Sequence, residues 1–178
     1  MGKSCLNKLS GNITVACNFN PVGIKNIYLM HTEDVTFTVG GVGMTEIAGA
    51  SVNSGAAVIL VEGYKQNIQV TSSVRAMDAS AKLDIAVSFK MPMIADADYR
   101  RIRSLLVGKF YVGVERNDGT RSLVGYISPL ECSGMDGDSN ANAGLATVTL
   151  SAPEGSAGNY FMAISQEAMN SIKAKVGG

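Results

Sequence analysis

The feature that most constrains the fold is a pair of strand-like segments joined by a tight polar turn. Residues Lys109 to Arg116 and Arg121 to Ser128 flank Asn117-Asp118-Gly119-Thr120. An Asp-Gly pair tolerates the positive φ that hairpin turns require, so the two segments are predicted to fold back as antiparallel strands. Phe110, Val112 and Val114 fall on one face of the first segment. On the return, Leu123 and the Tyr126-Ile127 pair supply apolar cover, and Gly113 and Gly125 mark a bulge or a close backbone approach.

The same two-residue period recurs from Lys82 to Phe89, where Leu83, Ile85, Val87 and Phe89 share one face. Further strands are expected at Lys25 to Met30, Asp34 to Thr38, Ala57 to Glu62, Ile68 to Thr71, Ala146 to Leu150 and Asn159 to Ile164. About eight short strands in a chain of 178 residues predict one mainly β domain, a sandwich or barrel spanning residues 1–178. One flanking helix is predicted over about 96–107. Asp96 or Asp98 caps its start, Tyr99, Ile102, Leu105 and Leu106 form its apolar stripe, and Gly108 stops it. Residues Gln166 to Lys175 form either a short helix capped by Ser165 or an ordered tail.

Two stretches are poor in large side chains. Val39 to Gly55 and Ser133 to Gly144 are rich in glycine and small residues. Ordering such segments costs more entropy than their own burial returns, so both are expected as loops that a neighbouring subunit would order. An N-terminal arm over about 1–12 is expected to act in the same way.

Charge supports a hidden surface. Only 17% of residues are charged, against about 25% in an average soluble domain. Fifteen basic and fifteen acidic residues cancel, which argues against a dominant basic field for nucleic acid or anionic membranes. Cys5, Cys17 and Cys132 are odd in number and lack metal-type spacing, so reduced thiols are expected. Met1 to Leu6 show no apolar signal-peptide core, and Ala56 to Val61 is far short of the ~20 residues that span a bilayer. The expected site of synthesis is a reducing cytoplasm.

Candidate chemistry is sparse. His31 is the lone histidine, and no nucleophile motif accompanies its neighbours Glu33 and Asp34, so it reads as a strand-end residue bonded at a turn. Gly40-Gly41-Val42-Gly43 starts a phosphate-loop pattern, but Glu46 occupies the last glycine position. Asp136, Asp138, Asn140 and Asn142 alternate like calcium-loop ligands, yet Ala141 replaces the turn glycine and Thr147 the closing glutamate. Asp78, Asp84, Asp96 and Asp98 invite a two-carboxylate reading, which capping and ordinary strand positions explain as well. Arg100, Arg101 and Arg103 read as a solvated or interface-paired helix face. The sequon Asn12-Ile13-Thr14 has meaning only on a secreted chain. The expectation is therefore no enzyme, no cofactor and no metal.

The order of helix, hairpin and polar loop carries a resemblance. Tyr99 to Val114 leads through the Asn-Asp-Gly turn into Arg121-Ser-Leu-Val-Gly-Tyr-Ile-Ser-Pro-Leu, and Ala146-Thr-Val-Thr-Leu-Ser-Ala-Pro-Glu follows the loop. With Pro21 to Val35, these pieces resemble tail tube and related virion proteins of phages infecting gut bacteria. The resemblance implies six copies closing into a ring whose strands continue between subunits, and rings stacking into a DNA-conducting tube. Its implied partners are further copies of itself and other tail or connector proteins, with DNA only as passing cargo. Its implied location is the virion tail, assembled in the host cytoplasm. Expected contact residues are Gly40, Gly41, Val42, Met44, Ile47 and Val52 in the first loop, Arg100 and Arg103 on the helix, and Met135 and Asp136 in the second loop. Alternatives are a tail adaptor, completion or baseplate protein, a secretion-system tube protein, or, from another class, a secreted β-sandwich binding module.

Overall fold

The computed structural model describes residues 23–41, 43–63, 67–77, 80–92, 96–137 and 145–177. In chain order the elements are β1 (Ile24–His31), β2 (Val35–Gly40), β3 (Glu46–Val52), β4 (Ile59–Glu62), β5 (Ile68–Met77), β6 (Ser80–Pro92), α1 (Asp96–Val107), β7 (Lys109–Arg116), β8 (Arg121–Val124), β9 (Leu130–Gly137), β10 (Leu145–Ser151), β11 (Met162–Ile164) and α2 (Gln166–Lys173). The described residues are mainly β, with two helices.

The predicted hairpin is the hub of the sheet. β7 pairs with β8 across the Asn-Asp-Gly turn, where Gly119 adopts φ 85° and Asp118 Oδ1 accepts from the Thr120 N–H (2.8 Å) and hydroxyl (2.7 Å). The return strand ends at Val124, four residues earlier than expected. Residues 125–129 leave the sheet, and the chain rejoins the same edge of β7 as β9, pairing Phe110 with Leu130. Gly125 makes this exit possible. It sits at φ 91°, and a Cβ there would meet the Phe110 carbonyl oxygen at 3.0 Å.

Two branches leave the hub, β8–β11–β3–β2 and β9–β10–β6–β5. β1 takes the other edge of β7, and β4 takes the outer edge of β1. Among the strand pairings of the described residues only β11–β3 is parallel, and an isolated parallel bridge joins Val58 to Val176.

β1 and β7 separate two apolar cores. Ile27, Leu29, Phe110, Val112 and Val114 face the first, which β6, β10 and the α1 residues Ile102 and Leu105 complete. Tyr28 and Met30 face the second, with Ile47, Leu123 and the α2 residues Ala168, Met169 and Ile172. This explains why Ile27-Tyr28-Leu29-Met30 is apolar without alternation: both faces of β1 are covered. Leu83, Ile85, Val87 and Phe89 face the first core together, as their period requires.

Several expectations need correction. Residues 46–52, expected within a loop, form β3, and Ser133 to Gly137, expected in the second loop, complete β9. On α1 the apolar stripe is narrower than predicted, because Ile102 and Leu105 are buried while Tyr99 and Leu106 are exposed. Gly108 does end that helix: a Cβ there would run into the Phe110 ring. The C-terminal segment is a helix, capped by Ser165 Oγ, which accepts from Ala168 N–H (3.1 Å) and donates to the β3 carbonyl of Ala48 (2.9 Å). The arm 1–12, Cys5, Cys17, the sequon Asn12 to Thr14, Val42, Asp78 and residues 138–144 lie outside the described residues.

Candidate interaction surface

The residues first considered for chemistry occupy structural positions. His31 ends β1 with its ring 4.7 Å from that of Phe110, and its carbonyl accepts from Asp34 N–H at 3.1 Å. Gly40 and Gly41 lie at the β2–β3 turn, where Gly41 and Gly43 both adopt φ 79°. Asp136 belongs to β9 and faces Thr147 of β10 in register. Asp98 lies in the first turn of α1 and pairs with Arg101 at 3.2 Å, while Asp84 on β6 pairs with Lys82 at 3.2 Å. Among the described residues no group of three His, Cys, Asp or Glu is placed to hold a metal, and no helix is long and apolar enough to cross a membrane.

One polar cluster was not foreseen. Glu115 of β7 is buried, and its Oε1 accepts from Lys173 Nζ at 2.6 Å. Its Oε2 accepts from the Tyr28 hydroxyl at 2.9 Å and from Asn26 Nδ2 at 3.4 Å. Lys173 Nζ also lies 5.7 Å from the Tyr28 ring centroid. Burial acts to raise the Glu115 carboxyl, but the hydrogen bonds from Lys173 and then Tyr28 outweigh it and hold the group below the ordinary glutamate value. Burial, then the bond to Glu115, pushes the Tyr28 hydroxyl up. Burial opposes the Lys173 charge, yet its bond to Glu115 leaves its pKa raised. The cluster fastens α2 to the β1–β7 pair. Its members come from distant parts of the chain, so no local pattern announces it.

The expected contact residues separate into distinct surfaces. Gly40, Gly41 and Met44 share the β2–β3 turn, where Met44 is 74% exposed and holds φ 55°. A left-handed methionine costs on the order of 1 kcal/mol. Val52, at the far end of β3, is half-buried against the second core. Ile47 is wholly buried there and offers no surface to another subunit, because its side chain points inward from β3. Arg100 and Arg103 are exposed on α1, and Met135 and Asp136 are exposed on β9, against which α1 packs.

The ends of two branches of the sheet add a further feature. β2 terminates one branch and β5 the other, so each has one outer edge without a partner strand among the described residues. Their sequences, Val-Thr-Phe-Thr-Val-Gly and Ile-Gln-Val-Thr-Ser-Ser-Val-Arg-Ala-Met, contain a single charged residue, Arg75, and no proline. β5 is also long, at ten residues, and Val74 on it is largely exposed. Isolated proteins usually blunt such edges with charge, proline or shortness. β6 pairs with β10 only over Ala86 to Pro92, so the rest of the β5–β6 ribbon extends past that pairing.

No protein-family model matches the chain, and comparison with curated proteins and with solved structures found no significant match.

Proposed function

We propose that this chain is a structural subunit of a homo-oligomeric virion assembly, a tail tube subunit whose hexameric rings stack into a DNA-conducting tube. The observation that carries the reading is the pair of nearly uncharged outer edges, β2 and β5, at the ends of the two branches that leave β8 and β9. An outer edge presents a row of backbone donors and acceptors, and pairing it with a neighbouring copy satisfies them. Two such edges on one chain permit head-to-tail pairing that closes into a ring. The strained, exposed Met44 turn and the low charge of the whole chain fit a surface covered by neighbours. The resemblance carried by Pro21 to Val35, Tyr99 to Leu130 and Ala146 to Glu154 supplies the tail-tube class within that reading.

A second reading, a β-rich binding module, draws on one observation. Phe37, Tyr111 and Tyr126 cluster half-buried, with ring centroids 5.2 to 6.5 Å apart. Negative-stain microscopy of the purified full chain across a concentration series separates the two. Rings or tubes are expected, and a strictly monomeric particle at high concentration overturns the subunit reading.

A further inference from the structure

Two further features lie at the surface. The first is a cleft of about 630 Å³ between β4 and α1, lined by Leu29, Ile59, Val61, Met91 and Leu105, with exposed Glu62 among its charged residues. Among the described residues β4 pairs only with β1, and its residues line one side of the cleft. The second is the aromatic pair Tyr160 and Phe161, 60% and 38% exposed just before β11.

The backbone just before the aromatic pair is anchored by hydrogen bonds. Asn159 is buried; its N–H donates to the Leu83 carbonyl (2.9 Å) and its Nδ2 to the Ser128 carbonyl (2.8 Å). Its Oδ1 accepts from Ser128 N–H (3.1 Å), and the Ser128 hydroxyl donates to the Ala157 carbonyl (2.7 Å). Side chains presented on so fixed a backbone lose little entropy on docking. The Arg116 guanidinium lies 5.7 Å from the Phe161 ring centroid and puts a positive charge beside the aromatic pair. Within the described residues neither Arg116 nor Glu62 forms an ion pair.

We propose that Tyr160 and Phe161 of one copy dock in the β4–α1 cleft of a second copy, with Arg116 of the first meeting Glu62 of the second. An apolar projection on one surface and an apolar cleft on another make a heterologous contact, which propagates head to tail. Aromatic anchors seated in a pocket and flanked by opposite charges are the usual carriers of such affinity. The proposal rests on the self-assembly reading above and adds to it a contact that edge pairing does not require.

The test is sedimentation velocity on the full chain and four variants: Y160S/F161S, E62R, R116E and E62R/R116E. Wild type is expected to associate. Y160S/F161S and each single charge reversal are expected to weaken association by at least about tenfold, and the double reversal to recover most of it. Circular dichroism melts within a few degrees of wild type establish that each variant is folded. Association of Y160S/F161S equal to wild type, or single reversals that the double reversal does not rescue, overturns the proposal while leaving the assembly reading intact. A wild-type chain that stays monomeric at every concentration overturns both.

Discussion

Replacing Lys173 by methionine tests whether the Glu115 cluster fastens α2. The change keeps a long stem beside Tyr28 and removes the charge. Glu115 would retain the Tyr28 and Asn26 hydrogen bonds to Oε2 but lose its 2.6 Å partner at Oε1. Breaking a fully buried ion pair costs ~3–5 kcal/mol. Here the Glu115 side chain is 9% exposed but that of Lys173 is 34% exposed, so water screens the pair and part of the penalty is recovered. The expected loss is about 2 kcal/mol. With a urea slope of about 2 kcal/mol/M, the unfolding midpoint should fall by roughly 1 M at unchanged slope.

The pH dependence carries a sign. The Glu115 pKa is lowered on folding, so its contribution is fully present above the ordinary glutamate value of about 4.3 and disappears as the pH falls below it through the folded value. The Lys173 pKa is raised, so its contribution is fully present below the ordinary lysine value of about 10.4 and disappears as the pH rises through the folded value. The gap between wild type and K173M should therefore be level around neutral pH and narrow as the pH falls through the acidic range where Glu115 is protonated. A K173M midpoint within ~0.2 M of wild type at pH 7, or a gap that does not narrow in acid, would refute the reasoning.

Gly125→Ala should destabilise the chain by about 2 kcal/mol or more in urea, because it adds a 3.0 Å contact with the Phe110 carbonyl to the strain of φ 91°. Gly119→Ala, with φ 85° and open space around its Cβ, should cost only about 1 kcal/mol in the same assay; equal losses would contradict the close-approach account. Asn159→Ala leaves Ser128 N–H and C=O buried without their partner and should cost about 2–4 kcal/mol, read as a fall in Tm.

Much of this architecture was legible where chemistry is local. The Asp-Gly turn and the alternation through Val112 and Val114 placed the hub hairpin, and Leu83 to Phe89 placed the core half of β6. β3 was not legible, because Ala48, Gly49, Ala50 and Ser51 carry no strand signal of their own. That strand exists through its partners: β2 pairs along it, β11 joins its start, and a Cβ at Gly40 would come within 3.0 Å of that of Ala48. β9 likewise hides in Cys132-Ser133-Gly134-Met135-Asp136-Gly137, a polar run that β10 holds in register. On α1, spacing identifies a helix but not the width of the face that the sheet covers, which leaves Tyr99 and Leu106 exposed. For the candidate surface, the exposure of Met44, Arg100 and Met135 was readable from small-residue and charge patterns, whereas the inward turn of Ile47 depended on the unseen strand. Glu115 and Lys173 lie 58 residues apart and meet only through the fold.

The central claim is that the outer edges of the sheet are built to pair with other copies. Thr71 and Ser73 are exposed on β5, so T71K/S73K charges that strand without burying either lysine. Sedimentation velocity of wild type and T71K/S73K, at matched concentration and with matched circular dichroism, tests the claim most directly. Large, concentration-dependent species from wild type and monomer from the variant are expected. Equal assembly by both chains, or monomer from both, would contradict it.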